Sequence, residues 1–285
     1  KMLEWRAKAT DADLIVFPEQ QLIGYPAEDL VLKPAFAARA AEQLAKLAAA
    51  TADGGPAMLV GSIFRDNGAL YNGIALLDGG RIAAVRYKHE LPNYGTFDEK
   101  RIFTAGPLPE PIVFRGVPIG VPICEDGWLA PVSLHLKERG AELLISTNGS
   151  PYEIDKDDRR LEEVFAARVR ETGLPLMFLN RVGGQDELVF DGCSFVLKAD
   201  GAVAHELLEV FHHVAADVAD RHLGTFGILR GNLGQFLAAL LVQLGDRQAD
   251  QGAIGDRIDA DTAFADRLFH LADQTLVPDV DGHHP

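Results

Sequence analysis

The chain has 285 residues, enough for one large α/β domain or for one domain plus an appendage. Its formal net charge is −15, and 47% hydrophobic and 24% charged residues are ordinary for a globular protein. This acidic balance argues against a nucleic-acid-binding or membrane-binding surface, since both need clustered Lys and Arg. No apolar run approaches the ~18 residues of a membrane span, and two cysteines without a signal-peptide-like N-terminus indicate a reducing cytoplasm rather than a disulfide framework.

The first stretch of the chain predicts one helix and one buried strand. Lys1–Thr10 has the pattern of the end of an amphipathic helix, with Leu3 and Trp5 on its apolar side. The apolar run Leu14–Phe17 predicts a strand that is buried on both faces. Glu19 follows this strand at its carboxyl end, which is where ligands bind in open α/β sheets.

A helix and three strands are predicted next. The turn Gly24–Leu30 leads into the Ala/Leu-rich helix Pro34–Ala52. Hairpin turns of the Asn-Gly and Gly-Gly types separate the three strands, so this part of the sheet is expected to be antiparallel. A long polar loop, 87–103, follows, in which Lys88 lies directly after the third strand. Long ordered loops are disproportionately functional. The three strands are Ala57–Phe64, Leu70–Leu77 and Arg81–Tyr87.

The second part of the domain predicts further alternating strands and helices. The β-branched run Val117–Ile123 predicts a strand that ends on Cys124 and exposes its thiol at a strained turn. Val182–Ala204 predicts a hairpin in which Cys193 has a structural role. Its turns are expected at Gly183-Gly184 and Ala199-Asp200-Gly201. The other predicted elements are the strands Glu142–Ser146 and Leu174–Asn180 and the helices Leu129–Gly140 and Asp157–Thr172.

The composition changes near the end of the chain. Val210–Pro285 contains no Lys, Glu, Ser, Tyr, Trp, Cys or Met, whereas Asp, Arg, Ala and Leu abound. A helical extension normally mixes Glu and Lys with Asp and Arg, although Gly224–Leu244 and Asp261–Gln274 keep a helical pattern. We therefore expect a domain over residues 1–205 and a compositionally distinct tail over residues 206–285 that is non-native or poorly ordered.

Three predicted strand ends each carry one reactive group: Glu19, Lys88 and Cys124. Once together, the carboxylate is suited to take the thiol proton and later to activate a water. The ammonium would stabilise the thiolate and then the oxyanion of an attacked carbonyl, while the thiol would form a covalent intermediate. Such chemistry predicts a low pKa for Cys124 and alkylation by iodoacetamide near pH 6, far faster than at Cys193.

The same three residues also have ordinary interpretations. A cysteine is commonly a small buried core residue, and a loop carboxylate or lysine is commonly solvated. A Cys-His protease is the rival thiol chemistry, but no His lies at a recognisable strand end. The chain has no GxGxxG or GxxxxGK[ST] nucleotide loop, and its histidines lack metal-ligand spacing.

Five motifs in a fixed order extend this constellation. They are FPE with GYPAEDL (17–30), KHELPNYGTFDE (88–99), ICEDGW (123–128), NGSPYEIDK (148–156) and GGQDELVFDG (183–192). Together they resemble the nitrilase (carbon–nitrogen hydrolase) superfamily, and most closely the glutaminase domain of bacterial glutamine-dependent NAD synthetases. The resemblance covers residues 1–204, and five motifs in order make it specific, whereas FPE alone would be weak.

The resemblance implies an α/β fold, the four-layer α-β-β-α sandwich of nitrilases, and a catalytic trio. In that trio Glu19 is the general base, Lys88 stabilises the oxyanion and Cys124 is the nucleophile. By the same resemblance, the residues that hold the substrate L-glutamine are Tyr94, Ser150 and Lys156. The other implied pocket residues are a second carboxylate, Glu99, and the lining residues Tyr25, Glu125 and Trp128.

The resemblance further implies a reaction and its requirements. Cys124 would attack the side-chain amide of glutamine, release ammonia and leave a thioester that water hydrolyses, with no cofactor or metal. In full-length relatives the ammonia serves a second domain, which uses ATP and Mg²⁺ to amidate deamido-NAD. No SGGxDS-type loop follows Ala204, so we expect that synthetase domain to be absent. We also expect the family's first strand to be missing before Lys1, which makes the domain N-terminally truncated, and the protein to be a cytoplasmic homo-oligomer.

Two other readings of the sequence stay open. One is a stand-alone amidase or nitrilase of the same superfamily that acts on a different amide or nitrile. The other is an inactive fragment, which the missing strand and the unusual tail favour, because a loss of a few kcal/mol is a large share of a net stability of about 5–15 kcal/mol.

Overall fold

A computed structural model of the chain describes residues 1–207. The strands of this part are β1 (Leu14–Val16), β2 (Ala57–Asp66), β3 (Ala69–Asp78), β4 (Arg81–Tyr87), β5 (Ile112–Phe114), β6 (Val117–Gly120), β7 (Leu143–Asn148), β8 (Leu176–Asn180), β9 (Val182–Gln185), β10 (Leu188–Asp191), β11 (Phe195–Leu197) and β12 (Val203–Glu206). Its α-helices are α1 (Met2–Lys8), α2 (Pro34–Ala50), α3 (Glu99–Ile102), α4 (Glu125–Trp128), α5 (Ala130–Glu138), α6 (Lys156–Asp158) and α7 (Ala166–Thr172). Short 3₁₀ helices occupy Glu28–Leu32 and Thr51–Asp53, and a π-helical segment, Arg159–Phe165, joins α6 to α7.

The strands form two larger sheets and one separate hairpin. The first sheet has the order β1-β2-β3-β4, in which β1 and β2 are parallel and the hairpins β2-β3 and β3-β4 are antiparallel. The second sheet has the order β12-β11-β8-β7-β6-β5, with a parallel centre formed by β6, β7 and β8. Strands β9 and β10 pair with each other.

The buried apolar residues divide the domain into layers. One cluster joins the two sheets face to face, with Leu59 and Ile74 of the first sheet packed with Ile119 and Ile145 of the second. Residues of α2 pack on the outer face of the first sheet, and residues of α5 and α7 pack on the outer face of the second. The described layers therefore run helix, sheet, sheet, helix, and the prediction of a mixed α/β fold is confirmed.

The long periodic elements agree with their predictions, including the antiparallel hairpins of the first sheet. The predicted N-terminal helix is also present, but its buried side differs from the prediction. Leu3 and Trp5 of α1 are 45% and 43% exposed, so the apolar side proposed for this helix is wrong. The buried residue of α1 is Arg6. Its guanidinium donates to the Pro56 carbonyl at 2.7 Å and pairs with Asp53, which anchors α1 through polar contacts instead of an apolar stripe.

Two β-segments also differ from the prediction. Gly183 and Gly184 lie inside β9, and the two-residue turn of that hairpin is Asp186-Glu187, because Gln185 pairs with Leu188. The strand that leads to Cys124 ends at Gly120, and beyond it only an isolated bridge from Ile123 to Thr147 continues the sheet. The turn at Ala199-Asp200-Gly201 does connect β11 to β12, as predicted.

The tail predicted over 206–285, with its helical patterns at Gly224–Leu244 and Asp261–Gln274, lies outside the described residues from position 208 onward. Within residues 1–207, none of the helices combines the length and the apolar character that crossing a bilayer requires.

Replacing Gly61 with alanine is expected to lower the free energy of unfolding by about 1–3 kcal/mol. A Cβ at this position of β2 would lie 2.4 Å from the Gln20 nitrogen and 2.5 Å from the Pro18 oxygen, so the backbone around Glu19 would have to move. Urea unfolding of Gly61→Ala checks this. The matched control is Gly184→Ala, whose nearest contact would be an ordinary 3.5 Å. Equal stability of the two variants would contradict the prediction.

Candidate active site

The two oxygens of Glu19 are held by three separate parts of the fold. Its Oε1 accepts hydrogen bonds from Lys88 Nζ at 2.8 Å and from Asn72 Nδ2 at 2.7 Å, and its Oε2 accepts one from the Gly149 amide at 2.9 Å. Glu19 is 1% exposed. The carboxylate is therefore buried and fixed in orientation, which a solvated loop residue would not be.

Lys88 lies between two carboxylates. It follows β4 directly and is fully buried, and its Nζ donates to Glu99 Oε1 at 3.0 Å as well as to Glu19. The Tyr25 hydroxyl donates to the same Glu99 oxygen at 3.1 Å. Four residues from two distant stretches of the sequence are thus joined by hydrogen bonds.

Cys124 lies in a strained turn at the edge of the second sheet. Its φ of 47° and ψ of −101° are unusual for a non-glycine residue, and it directly precedes α4. The Cys124 amide donates to the Thr147 carbonyl at 3.0 Å, which keeps the turn against the end of β7. Cys124 is 3% exposed, so its thiol faces an enclosed site and not open solvent.

The charges of the cluster act on one another. Burial would lower the pKa of Lys88, but the charges of Glu19 and Glu99 outweigh it and raise that pKa well above its usual value, so the amine stays protonated. Burial raises the pKa of Glu99, against the effect of Lys88. Burial likewise raises the pKa of Tyr25, which stays a neutral hydrogen-bond donor.

The expectation of a low pKa at Cys124 is wrong. Burial, reinforced by the negative charge of Glu19, raises the pKa of the Cys124 thiol well above its usual range, and Lys88 only partly opposes this. The charges of Glu99 and Glu125 act in the same direction as that of Glu19. The side chain of Cys124 is therefore a protonated thiol at rest.

Alkylation of Cys124 by iodoacetamide is expected to be slow at pH 6 and to rise roughly tenfold per pH unit up to pH 9, because the thiolate fraction grows in that proportion below the pKa. Peptide mass spectrometry of the Cys193→Ala variant isolates the signal of Cys124. A rate that is already high and constant between pH 6 and 7 would restore the original expectation.

A second group of predicted residues forms a mixed aromatic and charged cluster near the first. Tyr94 is 55% exposed, and its hydroxyl donates to Glu125 Oε2 at 2.8 Å. The Lys156 ammonium lies 5.9 Å from the ring centre of Trp128 and 6.0 Å from that of Phe97. Burial and the hydrogen bond to Glu125 raise the pKa of Tyr94. Glu125 directly follows Cys124 in the sequence, so the two clusters adjoin.

Ser150 belongs to a buried network of polar side chains next to the hydrogen bond between Gly149 and Glu19. Its amide donates to Asn180 Oδ1 at 2.9 Å, and its hydroxyl oxygen accepts from Arg160 Nε at 3.2 Å. Arg160 also pairs with Asp191 at 2.7 Å, and both of these side chains are almost fully buried. The neighbouring Gly149 amide bonds Glu19, so this network connects the predicted substrate residue to the predicted base.

The structure therefore joins Glu19, Lys88, Glu99 and Tyr25 by direct hydrogen bonds. The charges of Glu19, Lys88 and Glu125 affect the pKa of the Cys124 thiol. Ser150 is connected to the group through the neighbouring Gly149, whose amide donates to Glu19. The sequence analysis missed three groups that support the site: Asn72, Asp126 and the Arg160–Asp191 pair. Asp126 and Asp191 stand inside the quoted motifs ICEDGW and GGQDELVFDG, whereas Asn72 and Arg160 had no local signal. Within residues 1–207, no group of three or more His, Cys, Asp or Glu side chains is arranged to hold a metal ion.

A family model supplies the class of protein. The carbon-nitrogen hydrolase model matches residues 2–212, so the chain belongs to this family, a member of the nitrilase superfamily. Among individual proteins, it is similar to glutamine-dependent NAD(+) synthetases. The one from Rhodobacter capsulatus is 48% identical over 207 residues, which are 72% of this chain and 37% of the relative.

Solved structures agree with this relationship. Glutamine-dependent NAD⁺ synthetase from Acinetobacter baumannii, in complex with ADP, matches with a TM-score of 0.68 and 36% identity over 73% of this chain and 39% of that chain. A carbon-nitrogen hydrolase from Helicobacter pylori G27 shares the fold, with a TM-score of 0.64 and 24% identity over 72% of this chain and 77% of that chain. The chain thus spans less than half the length of the synthetases that it matches.

Proposed function

We propose that this domain is a glutamine amidohydrolase that uses Cys124 as nucleophile, Glu19 as general base and Lys88 as oxyanion stabiliser. The observation that carries the proposal is the buried Lys88 ammonium, bonded to Glu19 at 2.8 Å and to Glu99 at 3.0 Å beside a cysteine in a strained turn. Strained backbone and buried charges both cost free energy, and they persist where a reaction needs them.

In the first half of the proposed reaction, Cys124 Sγ attacks the side-chain amide carbon while Glu19 takes the thiol proton. Because this thiol is protonated at rest, bond formation and proton transfer proceed together. The charge that develops on the carbonyl oxygen is stabilised by Lys88, whose burial strengthens the interaction. When the carbon–nitrogen bond breaks, Glu19 returns the proton to the leaving nitrogen, and ammonia departs.

In the second half, the γ-glutamyl thioester on Cys124 is hydrolysed. Glu19 takes a proton from a water molecule, whose oxygen attacks the thioester carbon. The carbon–sulfur bond then breaks, glutamate leaves and the thiol regains its proton. Glu99, which also accepts a hydrogen bond from Tyr25, holds the Lys88 ammonium in place through both halves.

The charges around Tyr94 support glutamine as the substrate. Glu125 supplies a carboxylate and Lys156 an ammonium, which suits a molecule that carries an ammonium and a carboxylate beyond its amide. In this proposal Tyr94, Ser150 and Lys156 contact the substrate, while Trp128 lines the entrance. The similarity to proteins named glutamine-dependent NAD(+) synthetases supports the same choice.

We further propose that the ammonia released here serves the amidation of deamido-NAD in NAD synthesis. This extension depends on the similarity to the synthetases, of which the chain spans 37–39% in the relatives described above. ATP and Mg²⁺ would be needed only for that amidation, and the glutaminase step needs neither.

The experiment is ammonia release by the purified protein from a panel of amides. Glutamine is expected to exceed asparagine and butyramide in kcat/KM by at least ~10²-fold, since those compounds misplace or lack the charged groups. Preference for an uncharged amide would indicate a stand-alone amidase instead. No release from any amide by the folded protein would contradict the proposal.

A further inference from the structure

Asp126 is a fully buried carboxylate to which the proposed reaction gives no role. It is 0% exposed and accepts three backbone hydrogen bonds. Its Oδ1 accepts from the amides of His89 and Glu90 at 3.1 and 2.7 Å, and its Oδ2 accepts from the amide of Ile123 at 3.1 Å. A single side chain is thus bonded to the segment after Lys88 and to the residue before Cys124.

On the cysteine side, Asp126 and Ile123 exchange two hydrogen bonds and so form a hydrogen-bonded ring that contains Cys124. The Asp126 amide donates to the Ile123 carbonyl at 3.1 Å, while the Ile123 amide donates to Asp126 Oδ2. The Gly127 amide also donates to the Cys124 carbonyl at 2.9 Å. Cys124 is therefore enclosed by bonds on both sides. A backbone with φ of 47° and ψ of −101° costs about 1–3 kcal/mol, and it persists only when its surroundings determine it.

On the lysine side, Asp126 completes the fixation of the end of β4. The Lys88 amide donates to the Asn72 carbonyl at 2.9 Å, and the Lys88 carbonyl accepts from the Gly106 amide at 2.8 Å. The next two amides, of His89 and Glu90, are the ones that bond Asp126. Lys88 itself belongs to the first sheet, whereas Cys124 follows the second sheet. Through its hydrogen bonds, Asp126 therefore links the end of the first sheet beside Lys88 directly to the segment of the second sheet beside Cys124.

We propose that Asp126 is a positioning residue that holds the strained Cys124 turn in register with Lys88. The inference rests on the proposed amidase function and deepens it, because it assigns the relative placement of nucleophile and oxyanion stabiliser to one carboxylate. The hydrogen bonds described for the Asp126 carboxylate go to the backbone amides of His89, Glu90 and Ile123, so it acts on the rate through the geometry of Cys124 and Lys88.

The chemistry of an asparagine at this position makes the inference testable. Asparagine has the size of aspartate and keeps one acceptor oxygen for His89 and Glu90. Its amide nitrogen would then face the Ile123 amide, so two donors would meet without an acceptor, and the ring around Cys124 would open. The proposed substrate residues Tyr94, Ser150 and Lys156 have no described hydrogen bond to Asp126, so substrate binding should change little.

The test is the kinetics of Asp126→Asn with glutamine, corrected for the folded fraction from urea unfolding. The expected result is a fall in kcat of about 10- to 100-fold with KM within threefold, since a displacement near 1 Å costs about 100-fold. The matched control is Asp53→Asn, which removes a carboxylate bonded to Arg6 and the Gly55 amide and should lower stability without changing kcat per folded molecule.

Three outcomes separate the possibilities. A kcat of Asp126→Asn within twofold of wild type per folded molecule would overturn the inference and leave Asp126 a residue of the fold alone. Should Asp126→Asn not fold, Asp126→Glu decides by the same criterion, because it keeps the charge and both oxygens but moves them by one methylene. An inactive, folded wild-type protein would instead contradict the proposed function, so the two failures are distinguishable.

Discussion

Glutamine hydrolysis is expected to fall by at least ~10⁴-fold when Cys124 is replaced by alanine, because the proposed route has no covalent intermediate without the thiol. The fold should persist, since alanine has the same backbone requirements at φ 47° and leaves only a small void. Ammonia release and urea unfolding measure the two quantities separately. Acid-quenched wild-type protein should also carry a γ-glutamyl adduct that the variant lacks in mass spectrometry.

Cys193→Ala is a closely matched control for this experiment. Both cysteines are buried, at 3% and 7% exposure, and both have a positive φ, of 47° and 46°. The substitution of Cys193 should therefore have a similar effect on stability and leave kcat/KM within about twofold, since Cys193 is not part of the proposed reaction. Equal rates for wild type and Cys124→Ala would refute the assignment of the nucleophile.

Replacing Lys88 with methionine is expected to cost about 3–5 kcal/mol of stability and at least ~10³-fold in activity. The variant would leave the Glu19 and Glu99 carboxylates without the ammonium that compensates their charges. This is costly because the side chains of Lys88 and Glu19 are completely buried. The corresponding surface change, Lys46→Met, removes a pair with Glu42 between exposed groups and should cost less than about 1 kcal/mol.

The cost of Lys88→Met is expected to grow as the pH rises from about 5 to 8. Burial already raises the pKa of Glu99, and loss of the ammonium would raise it further. The folded variant would then bind a proton that the unfolded chain has released, so its stability falls as the pH rises. The double variant Lys88→Met, Glu99→Gln should recover part of the loss at pH 8. A pH-independent cost without such recovery would contradict the ion-pair explanation.

The sequence was sufficient for the elements whose pattern is long and regular. Helix α2 and the hairpins of β2, β3 and β4 have both a clear period and strong turn signals. The buried side of helix α1 was predicted wrongly because Arg6 is buried by contacts with Asp53 and Pro56, which are distant in the sequence. The Gly183-Gly184 pair has the composition of a turn, but Asp186, at φ 50°, takes the positive φ in the actual turn.

The candidate site shows the same division between local and distant information. The reactive residues were selected because each follows a strand, and the sheets bring such positions to a common edge. What holds them could not be inferred, because the contacts of Asn72 with Glu19 and of Asp126 with the Lys88 segment join different elements. The pKa of Cys124 was misjudged for a related reason, since it depends on burial and on the sum of several charges.

The protonated state of Cys124 also bears on how the protein meets oxidants. Hydrogen peroxide and related oxidants react with thiolates, and exposed cysteines of low pKa are the ones that form sulfenic acid. A thiol that is 3% exposed and has a raised pKa is a poor target for them. In the proposed reaction, the sulfur becomes strongly nucleophilic only as its proton passes to Glu19 during the attack on a bound carbonyl carbon. Oxidative inactivation should therefore be slow in the resting protein, without any dedicated reductant.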